Sequence, residues 1–217
     1  MNKVCSLIYP GQTLKYITLS LIALFALLSQ VFAHEIQPAV ADLAFDGEGN
    51  YSVSIVLNLE AIMANIEPEV SDTSQSSNAP EYDRLRALEP EDLIKEFEDF
   101  KTSFLAKLNI LVDDMPVEAG FSKVLVPEIG DLTFTRESVV KVEGSLPDGA
   151  ATITWGWARE FGASIIRVSA ETDEDPYSAY LVEGQQSEAI PIVGKLARSM
   201  LETIVNYISV GYVHIVP

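Results

Sequence analysis

The stretch "IQPAVADLAFDGEGNYSVSIVLNLE", residues 36–60, contains the pattern that decides the fold. Residues 36–45 are apolar enough for a strand, and residues 46–50 predict a turn because glycine and asparagine tolerate positive φ. From Tyr51 to Leu59 every second residue is apolar. Alternate side chains of a strand lie on one face, so this stretch predicts an opening β-hairpin with one buried face.

Seven further runs have the composition of strands, and turn signals separate them. They cover residues 109–113, 121–127, 131–135, 138–146, 151–158, 163–171 and 177–183. Several short strands at this spacing are typical of a mainly antiparallel β-sandwich. The only two tryptophans, Trp155 and Trp157, are two residues apart in one run, so we expect both on one strand face, in the core or at an interface.

One amphipathic helix is predicted over about residues 90–107. Pro90 suits a first helical turn, and the acidic residues around it favour the positive end of the helix dipole. Apolar side chains then recur at steps of three and four, at Leu93, Phe97, Phe100, Phe104 and Leu108. We expect this aromatic face to pack against a sheet, with a ligand-binding surface as the alternative. The predicted fold class is therefore α+β and mainly β.

Acidic, polar segments separate these elements. Residues 66–82 have almost no large apolar side chains, which predicts a flexible acidic loop. The pair Asp113-Asp114 and the cluster at 171–175 are interpreted as solvated turns, because adjacent acids are expected in so acidic a chain.

Residues 1–33 have the pattern of a secretory signal peptide. Lys3 and Lys15 precede or flank an apolar core, and Ala33 supplies the small residue before a cleavage site. An uncleaved anchor is the alternative, since the apolar run approaches the roughly 20 residues that a spanning helix needs. Cleavage would leave residues 34–192 as an exported β-rich domain that begins at His34.

Charge and cysteine content exclude several classes of protein. The net charge of −18 becomes −20 once Lys3 and Lys15 leave with the leader. Such a chain is repelled by nucleic acid and by anionic lipid head groups, so no nucleic-acid partner is expected. The only cysteine, Cys5, lies in the leader, which excludes disulfides and thiolate metal sites from the exported part.

The sequence predicts no enzyme. It contains no G-x-S-x-G, P-loop or H-E-x-x-H pattern, and its two histidines, His34 and His214, stand near opposite ends of the exported part. A hydrolase that uses one of these histidines is kept as an alternative hypothesis. No catalytic residue or organic cofactor is therefore predicted.

His34 is a candidate metal ligand. An N-terminal histidine offers an α-amine and an imidazole to one ion, a pairing that suits copper or nickel. The alternative is that His34 is simply the residue that processing leaves first.

The last residues, 193–217, begin as an amphipathic pattern and become mostly apolar from Thr203. The pattern predicts a helix that either packs back onto the sheet or begins a membrane region.

Three short segments carry a resemblance to a known family. "AHEIQPA" at 33–39, "YLVEGQQSEAIPI" at 180–192 and "YISVGYVHIVP" at 207–217 resemble segments of HupE/UreJ-type membrane proteins. The resemblance implies an extracytoplasmic β-rich domain followed by a nickel or cobalt permease domain. The last segment matches the start of the permease pattern at Tyr207, Gly211, His214 and Ile215, and implies that His214 contributes to the transport path.

The resulting hypothesis is an exported domain, on the periplasmic face of a bacterial membrane, that is accessory to nickel or cobalt transport or homeostasis. Expected partners are the membrane, through the C-terminal segment, and a permease domain or another envelope protein. The expected metal sites are His34 and His214, with nickel, cobalt or copper as the ion. The alternative is a structural or partner-binding β-sandwich with no metal role.

Overall fold

The computed structural model describes residues 37–70, 72–132, 134–168 and 177–193, which form ten strands and three α-helices. The strands are β1 (Ala39–Phe45), β2 (Asn50–Leu57), β3 (Leu108–Val112), β4 (Met115–Pro116), β5 (Gly120–Leu125), β6 (Ser138–Ser145), β7 (Thr152–Trp157), β8 (Ser164–Val168), β9 (Tyr177–Leu181) and β10 (Ile190–Pro191). The helices are α1 (Leu59–Met63), α2 (Ala79–Arg86) and α3 (Pro90–Ala106), with 3₁₀ turns at Thr73–Gln75 and Arg159–Phe161.

The strands form two sheets, with the orders β5-β6-β2-β1-β8-β9 and β10-β7-β3-β4. All strand pairs are antiparallel except β1 with β8, which are parallel. Buried apolar side chains of both sheets and of α3 form one core. The predicted α+β class with a sandwich-like β domain is therefore confirmed, and the parallel pair is a feature that the sequence pattern did not predict.

The opening hairpin has the predicted form. β1 and β2 pair from Val40↔Val56 to Phe45↔Tyr51, and the alternate side chains Tyr51, Val53 and Ile55 are at most 1% exposed. In the turn, the Asp46 carboxylate accepts hydrogen bonds from the side chain of Asn50 at 2.7 Å and from two backbone N–H groups. These bonds, led by that of the Asn50 side chain, lower the pKa of Asp46.

Helix α3 is also confirmed, and its aromatic face is part of the core. Phe97 and Phe104 are fully buried, whereas Phe100 is half-buried. The Phe97 ring lies 5.6 Å from that of Phe121 in β5, and the Phe104 ring stacks at 5.4 Å on Phe161. The aromatic face of α3 therefore packs against other elements, as predicted, and does not form a ligand-binding surface at these rings.

Several segments differ from the predictions. Leu59 and Glu60, at the end of the predicted second strand, lie in α1, because β2 ends at Leu57 and Asn58 caps the helix. The run at 131–135 is not a strand in its described residues: the Phe134 N–H bonds back to the Asp131 carbonyl at 3.0 Å, which makes a turn. Its side chains Leu132 and Phe134 are 51% and 69% exposed. Apolar composition predicted a strand here, but no neighbouring strand pairs with these residues.

The segment 66–82, predicted as a flexible acidic loop, contains a 3₁₀ turn and the beginning of α2. The prediction of a loop was therefore wrong at Thr73–Gln75 and from residue 79 onward. Asp72 caps the 3₁₀ turn, and the Asn78 side chain donates to the Asn65 carbonyl at 2.8 Å. The Ser76 hydroxyl donates to the Glu67 carboxylate at 2.5 Å. Polar side chains thus provide the hydrogen bonds that order a segment with few apolar residues.

The tryptophan end of the core, defined as Trp155, Trp157, Phe161 and Ser187, closes the edge of β7. Trp155 and Trp157 are 1% and 3% exposed, and the Trp157 indole N–H donates to the Gly162 carbonyl at 2.9 Å. The Trp155 backbone exchanges two hydrogen bonds with Ser187, whose hydroxyl accepts and whose N–H donates. The segment "YLVEGQQSEAIPI" therefore covers the part of β7 that the two-residue strand β10 leaves unpaired.

Candidate functional site

A buried polar cluster lies where α1, α2 and the approach to β6 meet. We define this arginine cluster as Asn58, Glu60, Tyr82, Arg86 and Arg136. Asn58 caps α1, and its side chain accepts the Ala61 N–H at 3.1 Å, which places Glu60 in the first turn. Arg86 is the last residue of α2, and Arg136 stands two residues before β6. The cluster therefore joins segments that are distant in the sequence.

Glu60 and Arg136 form the one buried ion pair among the described residues. The Arg136 Nε donates to the Glu60 carboxylate at 2.6 Å, and the two side chains are 8% and 0% exposed. Arg136 also donates to the carbonyls of Leu88, at 3.0 Å, and Leu85, at the end of α2. A cation at a helix C-terminus satisfies carbonyls that lack helical partners, so Arg136 links α1 to α2.

Arg86 connects α2 to the segment before β6. Its Nη2 donates to the carbonyl of Leu132 and, at 3.0 Å, to that of Phe134. Its guanidinium lies 5.0 Å from the centre of the Tyr82 ring, and the Tyr82 hydroxyl accepts from the Asn58 side chain at 2.9 Å. Burial raises the pKa of Tyr82, so this hydroxyl stays neutral at physiological pH.

The charges of the cluster do not balance. Arg86 is only 8% exposed, yet it forms no ion pair with any carboxylate in the described part of the chain. Among the described residues the one buried carboxylate is Glu60. It is bound to Arg136 through one oxygen, and its other oxygen, Oε2, has no hydrogen-bond partner. Glu60 therefore neutralises Arg136 alone, and the charge of Arg86 is met only by backbone carbonyls.

A cavity of about 400 Å³ adjoins this charge, and we call it the loop cavity. It is lined by Arg86, Pro127–Leu132 and Phe134–Glu137. Leu132 and Phe134 belong to the lining, although each exposes more than half of its accessible surface. Arg86 binds the backbone carbonyls of both residues, so the backbone of the loop is fixed while its apolar side chains remain exposed.

Neither predicted metal ligand can be placed in this site. His34 and His214 lie outside the described residues, as do the predicted leader, residues 194–217 of the predicted tail helix and the acidic cluster at 171–175. Within the described ranges, no three His, Cys, Asp or Glu side chains form a group that could hold a metal ion. The same ranges contain no helix with the length and apolar character to cross a membrane.

Asp113 and Asp114 form the turn between β3 and β4, with φ values of 48° and 63°. The Asp113 carboxylate accepts from the N–H groups of Thr152, at 2.9 Å, and Ala151, and from the Thr152 hydroxyl. These bonds, first that from the Thr152 N–H, lower the pKa of Asp113. The interpretation of this pair as a turn agrees with the structure.

Sequence reasoning missed the arginine cluster. Arg86 and Arg136 are single basic residues in mixed surroundings, and no spacing distinguishes them. The available signal was scarcity: the chain has 14 basic residues against 32 acidic ones, so an arginine that follows an apolar residue and ends a helix is a candidate for a buried partner.

Comparison with known proteins adds no family to this geometry: neither the protein-family models nor the curated proteins match the chain. The resemblance to HupE/UreJ-type proteins stays a prediction from three short segments.

Proposed function

We propose that the chain is an exported, membrane-associated protein whose β-rich domain binds a partner protein through Leu132 and Phe134. The observation that carries this proposal is the exposure of these two apolar side chains on a loop whose backbone is fixed by Arg86. The predicted leader, residues 1–33, supports the export, and the apolar C-terminal segment supports the association with a membrane.

The anchoring of the loop favours binding. Exposed aromatic and apolar side chains become the energetic centre of many interfaces once a partner excludes water from them. Binding also costs entropy when it has to order a flexible loop. Because Arg86 holds the carbonyls of Leu132 and Phe134, much of that ordering is already present before a partner arrives.

The charge of the chain favours a protein over an anionic lipid surface as the partner. A net charge of −20 without the leader repels anionic head groups, and the carboxylates of Glu128 and Asp131 lie next to the apolar residues of the loop. We therefore expect the partner to be an envelope protein with an apolar pocket, such as the permease domain that the family resemblance implies.

Photo-crosslinking in cells tests this proposal. A benzophenone amino acid replaces Phe134 in one variant of the full chain and Met115 in a control variant. The control is matched, because these side chains are 69% and 68% exposed and Met115 lies on the short strand β4. We expect one defined adduct with a membrane protein from position 134 and none from position 115.

The proposal fails if position 134 gives no adduct or the same adducts as position 115. A second variant, Phe134→Ser, is expected to remove the adduct formed by a probe at position 132. An adduct that persists would show that the two side chains do not share one interface.

A metal role would add to this proposal through His34 at the processed N-terminus. Calorimetric titration of the exported chain with Ni²⁺, Co²⁺ and Cu²⁺ tests it, with His34→Ala as the matched variant. We expect one site that His34→Ala removes. The absence of specific binding would leave a partner-binding domain without a metal role.

A further inference from the structure

We propose that the loop cavity is a binding site for a small monocarboxylate with an apolar chain, and that Arg86 is the charge partner of its carboxylate. This site goes beyond the proposed docking of a protein, because it assigns a small-molecule ligand to the chain itself, although Leu132 and Phe134 belong to both surfaces.

The size of the cavity suits such a ligand. Its volume of about 400 Å³ lies within the range of roughly 300–1,000 Å³ that is typical of small-molecule sites. It is formed by one loop folded against the end of α2, so both the backbone and the side chains of the loop contribute to its walls.

The charge of Arg86 supplies the polar end of the site. Arg86 lines the cavity, is 8% exposed and has no carboxylate partner among the residues that the structure describes. Only its Nη2 is engaged, by the carbonyls of Leu132 and Phe134, although a guanidinium has five N–H donors. A guanidinium that has lost most of its hydration binds a carboxylate through short, charge-assisted hydrogen bonds.

Arg136 cannot take this role in place of Arg86. Its Nε, Nη1 and Nη2 donate to Glu60, Leu88 and Leu85, so all three nitrogens already have acceptors. Its charge is matched by that of Glu60. Of the two arginines that line the cavity, Arg86 is therefore the one without a carboxylate partner among the described residues.

The walls select the rest of the ligand. Pro127, Ile129, Leu132 and Phe134 provide hydrocarbon surface, which an alkyl chain covers without losing hydrogen bonds. Three exposed carboxylates, those of Glu128, Asp131 and Glu137, also line the cavity. They repel every anionic ligand, in proportion to its charge, but they are exposed and therefore screened by water, whereas the Arg86 contact is short and largely dehydrated. Phosphates and nucleotides are therefore excluded more strongly than a ligand with one carboxylate on an apolar body.

Calorimetric titration of the full chain with octanoate and with octan-1-ol tests the proposal. The two probes have similar apolar chains, and only octanoate is charged. We expect saturable one-to-one binding of octanoate and weaker binding of octan-1-ol. In Arg86→Met the affinity for octanoate should fall by about tenfold to hundredfold, the usual effect of losing hydrogen bonds between charged groups. The affinity for octan-1-ol should fall much less, because it reports only the loosening of the loop that Arg86 anchors.

Arg84→Met is the matched control for Arg86→Met. Arg84 lies two residues away on α2, but its guanidinium is solvent-accessible and bound to Glu81 and Glu96. We expect its substitution to leave the affinity for octanoate unchanged. Circular dichroism establishes that each variant is folded.

A second pair of variants tests the charge without touching Arg86. Ile129→Asp and Ile129→Asn differ only in charge at one half-buried wall position. We expect Ile129→Asp to bind octanoate at least several-fold more weakly than Ile129→Asn, because a second carboxylate then faces the ligand. Both should bind octan-1-ol equally.

The proposal is overturned if octanoate does not bind, if octan-1-ol binds as tightly, or if folded Arg86→Met keeps the affinity for octanoate. If Arg86→Met does not fold, equal octanoate affinities in the two Ile129 variants overturn it. None of these results depends on the crosslinking at Phe134, so the failure of one proposal is distinct from the failure of the other.

Discussion

The tryptophan end and the arginine cluster stabilise two parts of the same core by different means. At the tryptophan end, aromatic rings pack closely: the ring of Trp157 lies 6.2 Å from that of Trp155 and 5.5 Å from that of Phe161. In the arginine cluster, charged groups bind backbone carbonyls of separate segments. The rings fill the core beside β7, whereas the charges hold a loop in place and leave its apolar side chains exposed.

The difference teaches that the most conspicuous residues need not form the site. Two tryptophans in a short motif suggest recognition, yet here they are buried and the loop at Ser187 covers their strand. The inconspicuous arginines support the cavity and the exposed loop. Substitutions at the tryptophan end should therefore lower the global stability. Substitution of Arg86 in the arginine cluster should mainly reduce the local order of the loop.

The largest effect is expected from Trp155→Ala. This side chain is 1% exposed, so its removal leaves a cavity that the surrounding rings cannot fill. We expect a loss near the upper end of the roughly 3–5 kcal/mol typical of such substitutions. Urea denaturation followed by circular dichroism measures it, with Met115→Ala, at a 68% exposed position, as a control that should change stability by less than about 0.5 kcal/mol.

Glu60→Gln and Arg136→Met should each cost about 3 kcal/mol, because each leaves one buried charge without its partner. The double variant should cost less than the sum of the two single variants. A double-mutant cycle by urea denaturation measures this coupling. Strict additivity would mean that the pair does not act as a unit.

Arg86→Met should have a smaller global effect, about 1–3 kcal/mol, through the loss of hydrogen bonds from a charged donor. Its local effect is expected to be larger: the Phe134 amide, which bonds to Asp131, should exchange hydrogen faster than in the unsubstituted chain. Arg84→Met should leave this exchange rate unchanged. Equal exchange in all three proteins would contradict the anchoring role of Arg86.

The smallest effect is a pH dependence at Asp113. Its pKa is lower when folded than the value of about 3.9 for a free aspartate, so its contribution is present above that pH and is lost as the pH falls through the folded pKa. Asp113→Asn should flatten the dependence of the unfolding free energy on pH below about 4. An unchanged slope in Asp113→Asn would contradict the role of these hydrogen bonds.

The sequence predicted the parts of the fold that depend on local periodicity. The alternation from Tyr51 and the three-to-four spacing from Leu93 each report which face is buried, and a strand and a helix formed there. Both patterns extend too far: Leu59 lies in α1 and Leu108 in β3. The run at 131–135 failed the same test, because apolar composition without a pairing strand cannot make a sheet.

The candidate site was not predictable by these means. Its bonds join Glu60 to Arg136 and Arg86 to Phe134, which are 76 and 48 residues apart. Periodicity reports on neighbours within one element, and a single sequence holds no signal for which distant arginine meets which carbonyl. Only the assembled fold brings these groups together.

The parallel pairing of β1 with β8 should slow the folding of the domain. β1 is an inner strand of the six-stranded sheet, and one of its two neighbours is β8. Asp42 of β1 pairs with Arg167 of β8, and these residues are 125 positions apart in the sequence. A growing or emerging chain can form the hairpin of β1 and β2 early, but one edge of β1 has to wait until nearly the whole domain is present. Such distant contacts slow folding. Under the export that we propose, this slow pairing would keep the polypeptide unfolded for longer while it crosses the membrane.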